Sequence, residues 1–411
     1  MATPTTTAPF PRTERVNAST GGRIASVDIF RGITIMVMIF VNFLAEIKGL
    51  PWWTYHLPGD VNGMTYVDMV FPFFLFIVGL SFPLAISHRI SKGDTQIQLW
   101  THVIARSFAL IVLGMALANF EKVNATLTHV SGNLWLALTL LGAILFWNVY
   151  PRTGSSQALY KSLKIVGLIL MVAMFLLFRR TTDSGQTAWL DFGYWEILGL
   201  IGWTYFAVAL LYIPTRTWRW APFAWLVVVT ALNATTMAHW TSFTEELPFY
   251  YWPWNSGCFC LLVLAGIVTS QIFLSDTFAK TFKQKATYAF GFAALLLISG
   301  FLLTPLGISK IRATPTWGLY SAGAATLSFL LLYWICDVHK HTSWALPVKS
   351  AGSNTLLTYL LPDLFYVTVG GLAIFQGWTY GQAGVIKTLI LTALMLVLST
   401  ILTKAKVRLQ L

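Results

Sequence analysis

A histidine set among tryptophans and followed by a carboxylate is the first chemical feature of this chain. The loop 47–64 carries PWWTYHLPGDVNG, which contains His56, and Asp68 lies twelve residues further on. Histidine is the side chain best suited to take a proton near neutral pH. Pro51, Pro58, Gly59 and Gly63 make the loop turn-rich, so it is expected to fold tightly. His56 reads either as an ordinary loop histidine or as a general base. Asp68 either orients His56 or serves as a carboxylate at a helix N-terminus. Further polar residues are expected near the same face: Asn42, Asn62, Glu196, His239, Asn255 and Asp363. A second group falls near the opposite face. Asp28 and Arg31 stand three apart on one helix face, and Arg106 follows in the third apolar run. These arginines read as a structural ion pair or as an anion site, since the planar guanidinium suits phosphate.

Those residues must be held by elements that live in lipid. Of the 411 residues, 56% are hydrophobic and 10% charged, and the mean hydropathy is +0.67. Soluble domains carry about 25% charged residues. The composition therefore excludes a soluble enzyme, a disordered chain and a disulfide scaffold. Twelve continuous apolar runs are expected as helices: 26–46, 65–88, 98–120, 131–149, 160–178, 195–213, 218–240, 254–275, 285–304, 317–338, 351–370 and 385–403. Backbone groups in hydrocarbon must bond within their own segment, and runs without alternation are not barrel strands. The fold class is thus an all-α polytopic transmembrane bundle. A disordered tail at 1–24 is expected to precede one membrane domain at 25–411.

The charge distribution orients the bundle. With the N-terminus inside, eighteen Lys and Arg fall in inner segments and six in outer ones. This bias places both termini in the cytoplasm. It also accounts for the net charge of +12 without nucleic acid. Cys258, Cys260 and Cys336 sit in apolar runs and read as core residues, and the seven scattered histidines give no metal-ligand spacing. No P-loop, no His-Glu-x-x-His and no Gly-x-Ser-x-Gly pattern is present.

Three adjoining stretches carry a resemblance. SVDIFRGITIMVMIFVNF (26–43), WWTYH (52–56) and NGMTYVDMVFPFFLFIVGLS (62–81) resemble the heparan-α-glucosaminide N-acetyltransferase family of transmembrane acyltransferases. ARSFALIVLG (105–114), EILGLIGWTYFAVALLY (196–212) and SAGSNTLLTY (350–359) are similar to later segments of that family. The resemblance implies acetyl transfer from cytosolic acetyl-CoA to a terminal glucosamine across a membrane. It puts the catalytic histidine on His56 and the active-site asparagine on Asn42.

On this reading Asp68 assists His56, while Arg31 and Arg106 face the CoA phosphates. Asn62, Glu196, Asn255, Asn354 and Asp363 are candidate contacts of a glucosamine-type or cell-envelope glycan acceptor. No metal is expected. A homodimer is implied by resemblance alone, and the short loops suggest a bacterial inner membrane. There are departures from the family. Runs 131–149 and 160–178 look like two helices inserted among ten family-like ones. Gly199 and Leu200 replace a Gln-Arg pair, and Pro362 and Asp363 stand where the family tends to have histidine. The rival reading is a secondary transporter of a small polar or anionic solute, because intramembrane charges also mark solute paths.

Overall fold

The computed structural model describes residues 24–411 apart from 152, 154–155, 242–256 and 276–277. The expected tail at 1–24, save Ile24, and the candidate Asn255 therefore lie outside the described residues. All twelve expected runs are helical: α1 (Ala25–Leu44), α2 (Val70–Ser91), α3 (Gln96–Asn119), α4 (Gly132–Trp147), α5 (Gln157–Leu177), α6 (Glu196–Thr215), α7 (Ala221–Met237), α8 (Gly257–Leu274), α9 (Phe282–Leu302), α10 (Pro315–Tyr333), α11 (Thr355–Val369) and α12 (Gly381–Lys404). Among the described residues nine helices are long and apolar enough to cross a membrane, and α4, α7 and α11 are shorter. A two-stranded hairpin between α5 and α6 pairs Arg180 with Ala188 and Thr181 with Thr187.

The chain is an integral membrane protein of the all-α class. Its outer helices turn Ile165, Ile169, Phe290, Ile298, Ile390 and Val397 outward. Such a surface suits acyl chains rather than water. In contrast, α8 is buried on nearly every side, from Gly257 to Phe273.

Lipid gives helices no hydrophobic reason to associate, so close backbone approach and dispersion must hold them. The α2–α8 crossing illustrates this. A Cβ at Gly79 would collide with the Val263 carbonyl, and one at Gly266 with the Phe76 carbonyl. Likewise α1 meets the short helix Leu346–Ser353 where Gly32 and Gly352 lie against opposing backbone.

Asn354 breaks that short helix from α11. Its side-chain nitrogen donates to Thr403 Oγ1 and to the Val407 carbonyl, both at 2.9 Å, and its oxygen accepts from Leu409 N at 3.2 Å. The Asp337 carboxylate accepts from Ala25 N (3.2 Å) and Ser26 N (3.1 Å), satisfying orphan donors at the start of α1. The start of α1 and the end of the chain thus share one end of the bundle, as an even number of crossings requires.

The opposite end is closed by two loops. In the first, the Tyr55 hydroxyl donates to the Ile47 carbonyl (2.6 Å) and accepts from Leu50 N (3.2 Å). Lys48 bridges to the start of α12, with Lys48 N bonded to Thr379 O at 2.9 Å and Gly381 N to Lys48 O at 2.8 Å. The second loop joins α9 to α10. It is clamped to the first where Gly63 N donates to Ile308 O (2.9 Å) and Ile308 N donates to Asn62 Oδ1 (2.6 Å).

Candidate active site

Asp68 is fixed first, because its own turn needs it. Residues Val67–Met69 form a 3-10 turn leading into α2. Asp68 Oδ2 accepts from Thr65 N at 3.0 Å and from Thr65 Oγ1 at 3.3 Å. The carboxylate thus pins the backbone and hydroxyl of Thr65, just before the turn that leads into α2. Trp317 Nε1 on α10 donates to the Asp68 carbonyl at 3.0 Å. Asp68 is 1% exposed, so its remaining oxygen needs a partner. That partner is His56: Nδ1 stands 2.7 Å from Asp68 Oδ1. One carboxylate oxygen thus holds Thr65, ahead of the helix, and the other holds the imidazole.

The pairing sets the tautomer. A carboxylate can only accept, so Nδ1 carries a proton, and in the neutral ring the lone pair is therefore on Nε2. Nε2 is the atom that can take a proton from an incoming nucleophile. His56 sits at the rim of a recess of about 20 Å³, which holds about one water molecule. Met38, Val41, Val67, Val70, Phe71, Phe74 and Ile197 form its apolar wall. Three polar side chains reach it: Asn42, His56 and Lys310.

Lys310 comes from the α9–α10 loop, 254 residues from His56. Its Nζ lies 3.3 Å from His56 Nδ1 and 3.2 Å from Nε2. In the ring plane, a point so nearly equidistant would fall on top of Cε1. The ammonium therefore sits over the ring face rather than along either lone pair. Burial holds the Lys310 amine down at about 8, with the Asp68 charge opposing part of that shift. Sequence reading counted Lys310 only as a charge in an outer loop. Nothing local to residues 303–314 signals its place beside His56.

The other candidates divide. Asn62 stands at the same end but is engaged by Ile308 N. Glu196 opens α6 with φ +54°; it accepts from Tyr359 OH at 2.8 Å and from Leu198 N at 2.9 Å. Asp363 lies one turn beyond Tyr359, within electrostatic reach of Glu196. This carboxylate pair touches the recess only through Ile197, the neighbour of Glu196. Asn354 is brought to the other end of the bundle, where it pins the C-terminal tail.

Arg31 is built into the helix packing. It donates to Ser81 Oγ at 2.7 Å and to the Gly352 carbonyl at 3.4 Å, and it pairs with Asp28 at 3.5 Å. Arg106 lies differently. Its guanidinium carbon is 5.0 Å from the Tyr205 ring centroid, and its buried Nε has no hydrogen-bond partner. Arg31 and Asn42 are eleven residues apart on α1, which separates the two polar layers by about 16 Å along the helix. Among the described residues no group of three or more His, Cys, Asp or Glu could hold a metal ion.

With the geometry in place, comparison places the chain among known sequences. A family model described as "Domain of unknown function (DUF5009)" matches residues 23–264, more than half of the chain. The chain belongs to the DUF5009 family. The matched region holds Arg31, Asn42, His56, Asp68, Arg106 and Glu196, and it ends before Lys310. This DUF5009 protein is also similar to curated relatives. It is 36% identical over 109 residues to heparan-alpha-glucosaminide N-acetyltransferase of Mus musculus, covering 26% of this chain and 15% of the relative. It is 38% identical over 97 residues to the Homo sapiens protein of the same name, covering 24% of this chain and 14% of the relative. The chain thus aligns with about one seventh of each relative's length.

Proposed function

We propose that this protein is a transmembrane acetyltransferase that moves acetyl from acetyl-CoA to a glucosamine-type or other cell-envelope acceptor on the far side of the membrane. The observation that carries the reading is the His56–Asp68 pair at 2.7 Å, opening beside Asn42 on an apolar recess. An imidazole held through Nδ1 by a buried carboxylate, with Nε2 turned away from that carboxylate, is the arrangement a general base needs. The likeness to the mammalian N-acetyltransferases supports the choice of acetyl as the group transferred.

In this mechanism the acceptor's amine or hydroxyl approaches Nε2 of His56. The imidazole takes its proton as the new bond to the acetyl carbon forms. Asp68 steadies the imidazolium. The Asn42 amide donates to the carbonyl oxygen as it becomes negative, a role that favours the transition state over the bound substrate. Collapse expels the CoA thiolate, which receives the proton from His56. At the other layer Arg106 offers an unpartnered, partly buried donor suited to a CoA phosphate. Arg31, already bonded to Ser81, Gly352 and Asp28, acts there as a wall.

The test uses purified protein without a membrane gradient, [acetyl-14C]acetyl-CoA and glucosamine. The reading expects labelled N-acetylglucosamine. If the protein neither transfers nor hydrolyses the labelled acetyl group, the reading fails and the transporter rival takes its place.

A further inference from the structure

We propose that Lys310 is a catalytic residue of this site: its ammonium joins the Asn42 amide in holding the acetyl oxygen as that oxygen becomes an oxyanion. The proposal rests on the acetyltransferase reading.

A lysine kept for structure gives its protons to fixed acceptors. Lys285 does so: its Nζ donates to the Phe273 carbonyl at 2.7 Å and lies 5.5 Å from the Tyr333 ring centroid. Among the described residues, Lys310 has no carboxylate or carbonyl within hydrogen-bond distance. Its close polar contacts are to the His56 ring, which it meets face-on. An ammonium has three donors, and a ring face uses none of them well. These donors stand at the recess shared by Asn42 and His56.

The chemistry calls for a cation there. When the acceptor nitrogen or oxygen bonds to the acetyl carbon, the C=O π pair moves onto oxygen. His56 Nε2 takes the acceptor's proton. The C=O then re-forms, the C–S bond breaks, and the thiolate leaves and is protonated by His56. Lys310 keeps its own protons throughout and acts by charge. In a recess walled by apolar groups such charge is worth far more than in water. The groups facing Lys310 are His56 from the 47–64 loop and Asp68 from the turn before α2, with Arg312 on its own loop. Burial brings the amine to about 8, so the ammonium predominates at neutral pH and is lost as pH rises through that value.

The experiment compares wild type, Lys310→Met and Lys310→Arg in detergent, reading kcat, acetyl-CoA affinity, the pH profile and the melting temperature. Lys310→Met should lower kcat by at least about 100-fold with acetyl-CoA affinity kept within about threefold. Its melting temperature at pH 7 should not fall, because an amine held below its ordinary value is disfavoured as a cation in the folded state. Lys310→Arg should recover at least about tenfold over the Met variant. It should also abolish the loss of kcat/KM above about pH 8, since arginine stays charged. A Met variant within about threefold of wild type overturns the proposal. So does an Arg variant that is folded, no better than Met and unchanged in its pH profile. If the Met variant does not fold, the Arg pH profile decides alone. A wild type inactive with acetyl-CoA sinks the acetyltransferase reading and takes this proposal with it; an active wild type with an equally active Met variant sinks the proposal alone.

Discussion

Alanine at position 56 removes the one imidazole lining the recess, and with it the proposed base. General-base catalysis contributes about 10²–10⁴-fold, so His56→Ala should cut acetyl transfer by at least about 100-fold. Acetyl-CoA binding, held mainly from the other layer, should persist in a titration on the same preparation. Asn42→Ala removes a neutral oxyanion donor and should cost a comparable factor of about 10²–10³ in kcat. Asp68→Asn keeps the shape but can present an N–H to Nδ1, which turns the lone pair the wrong way. It should lower kcat by at least about 100-fold and should also destabilise the protein, because Thr65 is held by the same side chain. That Asn42, His56 and Asp68 come together was legible in the sequence because they fall within one helix–loop–helix stretch, where a histidine in a tight loop between two apolar runs has few places to go. The double use of Asp68 was not legible, since the two roles looked like alternatives. Lys310 was invisible for a simpler reason: it meets His56 across 254 residues of chain, and no local spacing encodes that contact.

Helix positions followed from apolar run length, because lipid leaves the backbone no other way to satisfy its polar groups. What periodicity did not give was where helices stop. The expected run 351–370 contains a break at Asn354, whose amide is spent on Thr403, Val407 and Leu409 and fixes the start of α11. Its likeness to a family segment drew Asn354 toward the acceptor, whereas its bonds tie it to the tail. The two helices read as inserted, α4 and α5, pack on one another, and the loop after α5 returns the chain to Glu196. That loop hangs on Asn119, which is fully buried. Its amide donates to the Met115 and Asp191 carbonyls at 3.0 and 3.1 Å, and it accepts from Asp191 N at 2.7 Å. Asn119→Ala strands the Asp191 backbone groups, which should cost about 1–3 kcal/mol. A lowered melting temperature in detergent checks this. Little change would mean that the Lys122–Asp191 ion pair holds the loop by itself.

At the scale of the whole molecule, the two polar layers stand at opposite ends of a closed bundle. Ala25 and the C-terminal tail lie at one end, and the two clamped loops around His56 lie at the other. The twelve long apolar segments that are helical among the described residues and the eighteen-to-six division of Lys and Arg were both readable from composition along the chain. The clamp between the 47–64 loop and the α9–α10 loop was not, since it depends on Asn62 meeting Ile308. A single cysteine at position 60, in a cysteine-free background, should react with an impermeant maleimide from the outer face, and one at position 406 only after permeabilisation. The reverse pattern would invert the bundle and with it the direction of transfer.

Vectorial acetyl transfer through His56 can be measured in sided proteoliposomes. Protein is reconstituted in one orientation, with acetyl-CoA on the face carrying the termini and glucosamine on the face carrying the 47–64 loop. N-acetylglucosamine should form in the compartment that never contained acetyl-CoA, at a rate at least about 100-fold lower for His56→Ala. Product formed only on the acetyl-CoA side, or at an unchanged rate in the His56→Ala vesicles, would contradict vectorial transfer through His56.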